Sequence, residues 1–343
     1  MTKKKKKSYK LFIILAVIAI LLIAIPIVLR NNKTANDDTV TLFLPTGSDY
    51  NSAVDSLNTH NCISNAATFN TLARIRKYKN NVKGGCYKIP PHTSTWTLLT
   101  KLYYGNQDPI QLTIGKYRTK KQLCDYIGKR LEMTPDSLLS LLNNDSICQN
   151  YGHNTQTIIG MFCRNTYDIY WNTSPINLLN RMEKESNRFW NGKRKNKANK
   201  INLSTDEVIT LASIVDEETN KNDEKDIIAS VYLNRLHKGM PLQADPTLKY
   251  ALGDFSLRRI LNKHTEISSP YNTYRNKGLP PGPICIPSDA SIDAVLANKQ
   301  TNYLYFCAKS DFSGYHAFAT NLAQHNANAA AFHAALNKRN IYK

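Results

Sequence analysis

The chain has 343 residues, 42% of them hydrophobic, and a formal net charge of +19. This length allows one large domain or two smaller ones with a real hydrophobic core. The seven cysteines show neither CxxC nor zinc-ligand spacing, which argues against a redox or metal motif, and we expect no metal and no cofactor. Such a basic chain suits a polyanionic partner or an anionic membrane surface, and charge that only aids solubility is the alternative.

The N-terminus predicts a membrane anchor. Six lysines within residues 1–10 precede an uncharged apolar run over residues 11–29, long enough to nearly span a bilayer core of roughly 30 Å. Only Arg30 and Lys33 follow closely, so the positive-inside rule keeps residues 1–10 in the cytoplasm. A cleaved signal peptide fits less well, because the run is too long and no small-x-small cleavage site follows it. We therefore expect a single-pass protein of the plasma (inner) membrane, anchored by residues 11–30, with the rest outside the cytoplasm.

A small module is predicted over residues 39–108, after a short polar linker. Alternation and helical periodicity predict its elements in chain order: strand 39–44, helices 50–57 and 66–78, strand 84–90 and helix 96–104. Cys62 and Cys86 both fall in this module, and a disulfide between them is conceivable outside the cytoplasm.

A second, larger region of residues 109–343 opens with a strand at 110–114 and helices at 120–131 and 135–142. Residues 183–200 are strongly basic and include Phe189 and Trp190, a mixture that could bind single-stranded nucleic acid. We expect no nucleic acid outside the cytoplasm. The preferred interpretation is a basic helix tail and solvated loop, broken at Gly192, or a contact to membrane or cell-wall polymer.

An apolar helix that ends in carboxylates follows. Residues 204–207, Ser-Thr-Asp-Glu, have the spacing of a capping box, so a helix should begin near Thr205. Its buried stripe continues to Val215, and at 100° per residue Glu218 falls on the edge of that stripe. Burial and the negative end of the helix dipole both penalise a charged Glu218, which predicts a raised pKa and a possible proton donor.

The simpler interpretation of this acidic triplet is a solvated helix end. The helical phase places Glu217 on the opposite side from Glu218, so Glu217 is expected to be solvated. That interpretation explains Glu218 poorly, because the same phase turns it inward.

The remaining sequence predicts a helix over residues 225–238 ended by Gly239, and a final Ala-rich helix near 327–335. Between them, polar and aromatic side chains crowd into segments that we interpret as loops: 240–247, 269–274, 278–283 and 314–326. Amide and hydroxyl groups beside aromatic faces are what a carbohydrate site requires, although Pro-Pro-Gly-Pro at 280–283 is also a rigid turn.

Seven motifs in a fixed order carry a family resemblance: Ala212–Thr219, Ala229–Leu236, Gly239–Thr247, Ser269–Tyr274, Gly278–Gly282, Tyr303–Phe306 and His316–Asn321. Together they resemble the endolytic murein transglycosylases (the YceG-like, MltG type). The resemblance implies an α+β fold with one N-terminal transmembrane helix, a small LysM-like module at 39–108 and a larger catalytic domain at 109–343. The LysM-like match is the weaker part and rests on short patterns at 47–57, 85–89 and 98–105.

The resemblance assigns roles to individual positions. Glu218 stands at the family's catalytic glutamate, and the substrate-binding residues expected beside it are Asn234, Arg235, Gln243, Asp245, Asn272, Tyr274 and His316. Asp216 stands where relatives often have Glu, and Arg164 and Asn165 replace a Pro-Asp pair in an upstream motif. A glycan contact by the 162–167 segment is therefore in doubt.

The implied reaction is cleavage of the β-1,4 bond between N-acetylmuramic acid and N-acetylglucosamine, leaving 1,6-anhydro ends. The expected substrate is the nascent glycan strand near the membrane, whose elongation is thereby terminated, and the expected partners are peptidoglycan synthases (penicillin-binding proteins). A muramidase that uses water, a non-catalytic peptidoglycan-binding scaffold and a nucleic-acid-binding protein are the alternatives.

Overall fold

The computed structural model describes residues 10–19, 33–257 and 259–339 and has the α+β class that the sequence predicts. Residues 10–19 are helical, and the rest of the predicted anchor, residues 20–30, lies outside the described residues. Within the described ranges, no helix is both long and apolar enough to cross a lipid bilayer.

The chain divides into two compact units, residues 1–111 with 168–173 and residues 112–167 with 174–343. In the part of the chain that the structure describes, three two-stranded sheets pair β1 with β2, β3 with β4 and β5 with β6. After residue 33 the order is β1 (Val40–Leu44), α1 (Tyr50–Thr59), α2 (Ala66–Ile75), a 3₁₀ turn (Tyr78–Asn80), β2 (Gly85–Ile89), α3 (Thr95–Tyr104), β3 (Ile110–Ile114), α4 (Lys120–Gly128), α5 (Pro135–Leu142), α6 (Asp145–Asn150), a second 3₁₀ turn (Ile158–Met161), β4 (Asn165–Ile169), α7 (Pro175–Phe189), α8 (Gly192–Lys200), α9 (Thr205–Glu218), α10 (Lys225–His237), α11 (Asp245–Leu252), α12 (Asn262–Thr265), α13 (Asp289–Ala297), β5 (Tyr305–Ala308), β6 (His316–Ala319) and α14 (Leu322–Lys338).

The smaller unit is built on the antiparallel pair β1–β2, in register from Val40 opposite Ile89 to Leu44 opposite Gly85. In this unit, α1, α2 and α3 each begin at a capping side chain that accepts a hydrogen bond from the first turn: Asp49, Asn65 and Ser94 respectively. Apolar residues of helices and strands share one closed core. Cys62 and Cys86 are both free and buried, so the conceivable disulfide between them is not formed.

The larger unit is organised around α9. The predicted capping box is confirmed, because Ser204 accepts from the Glu207 backbone while the Glu207 carboxylate accepts from the Ser204 N–H. Every residue from 208 to 216 is buried, so α9 is enclosed on all sides and not only along one stripe. It packs against α10 and α13 in the core of this unit, which fixes where the C-terminal end of α9 points.

The structure of the basic segment, residues 183–200, differs from one prediction. The expected solvated loop is wrong, because Asn191 caps a new helix, α8, that begins at Gly192. Trp190 is buried in the core, and Arg194 packs its guanidinium 4.0 Å from the Phe189 ring centroid. Trp190 is thus held inside the unit, and the Arg194 guanidinium covers one face of the partly buried Phe189, so this packing does not support stacking on nucleotide bases.

A second correction concerns residues 314–326, which the sequence analysis interpreted as a loop. His316–Ala319 instead form β6, antiparallel to β5, and α14 begins at Leu322. Both strands have only four residues, too few for a recognisable alternation. The final helix is confirmed and extends well beyond the Ala-rich stretch.

Candidate active site

Glu218 is the last residue of α9 and is half-buried there, as the helical phase predicts. Its carboxyl Oε1 accepts a hydrogen bond from the hydroxyl of Tyr232 at 2.5 Å. Tyr232 is itself buried on α10, so both partners are held by the core. Because the end of a helix and the middle of its neighbour meet here, the geometry of this pair is fixed by helix packing.

The pKa of Glu218 is raised to about 7. Burial is the main cause, since desolvation penalises the charged carboxylate, and the negative charge of Asp245 adds to the increase. The hydrogen bond from Tyr232 acts in the opposite direction, because it stabilises the charged form. A carboxyl with this pKa can both give and take a proton near neutral pH.

Glu218 opens into a cavity of about 370 Å³, large enough for part of a carbohydrate chain. Its walls come from α9, α10, the segment before α11, β5, β6 and the start of α14. The lining residues are Glu218, Tyr232, Arg235, Leu242, Gln243, Asp245, Tyr274, Tyr305, Phe306, Cys307, Ala308, His316, Leu322 and His325.

One wall is the segment that leads into α11. Gln243 has a left-handed backbone (φ +50°), which is a strained conformation for a residue with a side chain. The buried Thr273 holds it in place, because its carbonyl accepts from the Gln243 N–H at 3.0 Å and its hydroxyl accepts from the Ala244 N–H at 3.0 Å. Asp245 follows and accepts from the Tyr274 hydroxyl at 2.5 Å.

Arg235 lies one helical turn beyond Tyr232, on the same face of α10. Its guanidinium donates to the Leu304 carbonyl at 2.6 Å and to the Leu242 carbonyl at 2.8 Å, and it lies 5.1 Å from the ring centroid of Tyr305. Burial lowers the pKa of Arg235 from its ordinary value. This side chain therefore ties two walls of the cavity together while presenting a positive charge to it.

The structure does not bring Asn234 and Asn272 to the cavity. The Asn234 amide donates to the carbonyls of Thr301 at 2.8 Å and Tyr303 at 3.0 Å, just before β5. The fully buried Asn272 donates to the carbonyls of Thr265 and Ile267, and its Oδ1 accepts from the Tyr274 N–H at 3.0 Å. Both amides hold backbone segments next to the cavity wall, so their contribution in the structure is positioning.

His316 does line the cavity. Its Nδ1 lies 3.0 Å from Glu224 Oε2, and its backbone N–H donates to Glu224 Oε1 at 2.8 Å. The imidazole packs edge-on against Phe306, with ring centroids 5.3 Å apart, and Phe306 packs edge-on against Tyr232 at 5.8 Å. An aromatic row thus connects His316 to the hydrogen-bond partner of Glu218.

The other two carboxylates at this helix end are not solvated, which corrects the prediction for Glu217. Arg118 donates to both oxygens of Glu217, each at 3.0 Å, and only 12% of the Glu217 side chain is exposed. Asp216 is buried and accepts from Arg164 at 2.6 Å and Lys225 at 3.1 Å. Two of the three departures from the family pattern, Asp216 and Arg164, therefore contact one another, and Arg164 lies outside the cavity lining.

Sequence reasoning missed several cavity residues: Tyr232, Tyr305, Phe306 and His325. Tyr232 had a usable signal, because it precedes the predicted Arg235 by three residues on one helix. Tyr305 and Phe306 belong to β5, which has only four residues, and His325 lies in the first turn of α14, within a segment that the sequence analysis interpreted as a loop. Among the residues the structure describes, no group of three or more His, Cys, Asp or Glu side chains is arranged to hold a metal ion.

Comparison with known proteins identifies the family of this chain. The profile of the YceG-like family matches residues 42–331. The chain belongs to the YceG-like family. The cavity residues of this member lie in its second unit.

Individual relatives agree with this assignment. A Bacillus subtilis (strain 168) protein named endolytic murein transglycosylase is 30% identical over 317 residues, covering 87% of this chain and 84% of that protein. A Streptococcus pneumoniae (serotype 2, strain D39) protein of the same name is 27% identical over 325 residues, covering 85% of this chain and 58% of that protein. The crystal structure of a YceG-like protein from Listeria monocytogenes superposes with a TM-score of 0.57 at 28% identity, covering 85% of this chain and 99% of that one.

Proposed function

We propose that this chain is an endolytic murein transglycosylase with Glu218 as its catalytic residue. The observation that carries the proposal is the half-buried carboxyl of Glu218, held by Tyr232 in a cavity of polar and aromatic side chains, with its pKa raised to about 7. Relatives with this activity name match most of the chain. The substrate we propose is the peptidoglycan glycan strand.

The proposed reaction needs one carboxyl group. Protonated Glu218 gives its proton to the glycosidic oxygen as the bond from C1 of N-acetylmuramic acid breaks, which releases the 4-hydroxyl of N-acetylglucosamine. The C6 hydroxyl of the same muramic acid then bonds to C1, and the Glu218 carboxylate takes the hydroxyl proton. The proton count is restored, no water is consumed, and the product carries a 1,6-anhydro ring.

An internal hydroxyl has a large entropic advantage over a water molecule, because it is already held beside the reacting carbon. Ordinary glycosidases need a second carboxylate to activate water or to attack the sugar. Asp245 is the second carboxylate of this cavity, but its Oδ1 accepts from Tyr274, which fits a role in shaping the wall. A muramidase that uses Asp245 remains the runner-up.

The deciding experiment is mass spectrometry of purified peptidoglycan digested by the full chain in detergent, wild type beside Glu218→Gln. Anhydro-muramic ends that disappear in the variant are the expected result. Glu217→Gln is the matched control, since it makes the same change one residue away, outside the cavity, and should keep the anhydro products.

Each other outcome would redirect the assignment. Reducing ends that vanish in Glu218→Gln would make the protein a muramidase. Unchanged cleavage by Glu218→Gln would remove Glu218 from the chemistry. If the folded wild-type protein binds glycan but does not cleave it, the protein would be a non-catalytic peptidoglycan-binding scaffold.

We further propose that the smaller unit is a LysM-like module that binds the same polymer. Its order of strand, helix, helix, strand with an antiparallel β1–β2 pair supports this. A cavity of about 420 Å³ in this unit offers cations, amides and an aromatic hydroxyl, groups suited to an anionic glycan. Its lining residues are Tyr50, Asn70, Ala73, Arg74, Lys77, Lys79 and Asn80.

We also propose that residues 11–30 anchor the chain in the plasma membrane, with the residues that follow the anchor outside the cytoplasm. The charge asymmetry and the apolar run support this topology. An anchored enzyme would meet glycan strands as they leave the synthases, so cleavage there would end elongation and set strand length. Peptidoglycan synthases are the partners that this placement suggests.

A further inference from the structure

The position of the Glu224 side chain is not explained by the helix that it precedes. It stands at the N-cap of α10, where a side chain usually accepts a hydrogen bond from the first helical turn, but it makes no such bond. Instead its carboxylate turns to β6 and holds two groups of one residue, the backbone N–H and the Nδ1 of His316.

The pair is well protected from water. Only 6% of the Glu224 side chain and 15% of the His316 side chain are exposed. Glu224 lies at the N-terminal end of α10. Phe306 packs edge-on against the imidazole, so the ring is fixed on two sides while it still lines the catalytic cavity.

Hydrogen-bond chemistry then determines which ring nitrogen carries the proton. An ionised carboxylate can only accept, so the Nδ1 of His316 must donate to Glu224. In the neutral imidazole this leaves Nε2 as an acceptor, and the pairing keeps the ring in that tautomer. An acceptor in this cavity selects a hydroxyl donor of the sugar.

We propose that Glu224 is a positioning residue that fixes His316 with Nε2 as a hydrogen-bond acceptor for a hydroxyl of the glycan bound beside Glu218. This inference rests on the proposed function, since it assigns the ligand of Nε2 within that substrate. Glu224 acts only through His316 and touches no part of the glycan itself.

Glu224→Gln is the sharpest test because Gln has the shape of Glu but can donate a hydrogen bond to Nδ1, where the carboxylate can only accept one. The new side-chain carbonyl can still accept from the His316 backbone, which turns the new NH₂ group toward Nδ1. Nδ1 must then accept, and the proton moves to Nε2, so the acceptor in the cavity becomes a donor. Asp223→Asn is the matched control, because Asp223 is exposed and bonds the Tyr315 hydroxyl, not the cavity.

Three measurements test the effect of Glu224→Gln: glycan binding, kcat/KM and the protonation of the His316 ring. In a Glu218→Gln background, adding Glu224→Gln should weaken glycan binding roughly 10-fold to 100-fold, as expected when a hydrogen bond is replaced by an opposed pair, and adding Asp223→Asn should not. In the active enzyme, Glu224→Gln should lower kcat/KM by a similar factor. Nitrogen NMR of the imidazole should show Nε2 unprotonated in the wild type and protonated in the Glu224→Gln variant.

A double-mutant cycle separates positioning from a general structural effect. If Glu224 acts through His316, Glu224→Gln should have no further effect on binding in a His316→Ala background. An equal loss in that background would overturn the proposal, as would unchanged binding by Glu224→Gln or a protonated Nε2 in the wild-type ring. The ring spectrum and the binding data need no cleavage, so they decide this inference even if wild type proves inactive and the proposed function fails.

Discussion

At the scale of one residue, the proton affinity of Glu218 sets the pH range of the reaction. Burial raises its pKa to about 7, and the Tyr232 hydroxyl moderates that increase by stabilising the carboxylate. The acid form must protonate the leaving oxygen, so kcat/KM should fall as the pH rises through this pKa. Substitution of Tyr232 tests how far its hydrogen bond offsets the effect of burial on this pKa.

Tyr232→Phe removes the moderating hydrogen bond, so the pKa of Glu218 should increase further. We expect the alkaline limb of the profile of kcat/KM against pH to move upward by about one pH unit. Tyr303→Phe is a suitable control, since Tyr303 packs on Phe318 and lies outside the cavity lining. A downward shift, or the same shift in both variants, would contradict the role given to Tyr232.

The same burial has a cost in stability. Glu218 binds its proton more tightly in the folded chain than in the unfolded one, so the free energy of unfolding decreases as the pH rises from about 4.5 to about 7. Glu218→Gln does not titrate and should therefore be more stable than wild type above pH 7, on the order of 3 kcal/mol. The advantage should vanish below pH 4.5.

Thermal unfolding of both proteins between about pH 4 and pH 8 measures this difference. Glu217→Gln again serves as the control, because Glu217 is bound by Arg118 and its loss should destabilise the fold instead. A constant gap between wild type and Glu218→Gln at all pH values would show that Glu218 titrates alike in both states.

Helical phase was enough to select Glu218, because α9 is regular and its position at the helix end follows from counting residues. The same helical phase predicted wrongly that Glu217 is solvated. Its partner Arg118 lies 99 residues earlier in the chain, and no local pattern signals an ion pair across that separation. Helical periodicity therefore predicted that Glu218 faces the cavity, but it could not predict that Arg118 pairs with Glu217 on the opposite side of α9.

At the scale of elements, a buried ionic cluster holds the end of α9 against its neighbours. Asp216 accepts from Ser288 and Ser291 at 2.6 Å each, beside α13, and it is paired with Arg164 and with Lys225 of α10. Although burial favours its neutral form, these hydrogen bonds and cations keep the pKa of Asp216 well below its ordinary value. Glu218 lies two residues further along the same helix.

Asp216→Asn should destabilise the protein by about 3 kcal/mol, because it leaves Arg164 and Lys225 without a buried counter-charge. Asp293→Asn provides the comparison, since its pair with Arg194 is partly exposed and is expected to contribute less than about 1 kcal/mol. Urea unfolding of both variants measures the difference. Equal midpoints would mean that the cluster does not stabilise α9.

Elements were predictable where a long period or a cap signalled them. The α9 start, α5 and β3 lie where the pattern placed them. β5 and β6 were missed because four residues carry too little alternation, and α8 was missed because its composition is mostly Lys and Asn. α8 is a helix because Asn191 caps it and Arg194 ties it to α13 through Asp293.

At the scale of the whole molecule, the cavity draws on residues from 218 to 325, and the family resemblance predicted part of its lining. Five of the seven predicted binding residues line it: Arg235, Gln243, Asp245, Tyr274 and His316. The other two, Asn234 and Asn272, support its walls. A motif gives the position of a residue in the chain but not the direction of its side chain, which depends on tertiary partners such as Thr301 and Thr265.

The proposed anchor makes the orientation of the whole chain testable. Alkaline phosphatase fused after residue 343 should be active in bacterial cells, because the residues after the anchor are expected outside the cytoplasm. Changing lysines 3–7 to Gln should reduce the fraction of chains in this orientation, since these charges keep the N-terminus inside.

Five exposed lysines of the second unit provide the control: Lys184, Lys193, Lys195, Lys197 and Lys200. Changing them to Gln alters the net charge equally, but they lie far beyond the roughly 15–20 residues that the positive-inside rule counts, so phosphatase activity should stay unchanged. An equal loss in both variants would show that total charge, and not its position, directs the chain. A fusion that is inactive in the wild type would place the cavity in the cytoplasm, away from any peptidoglycan, and the membrane topology proposed above would be wrong.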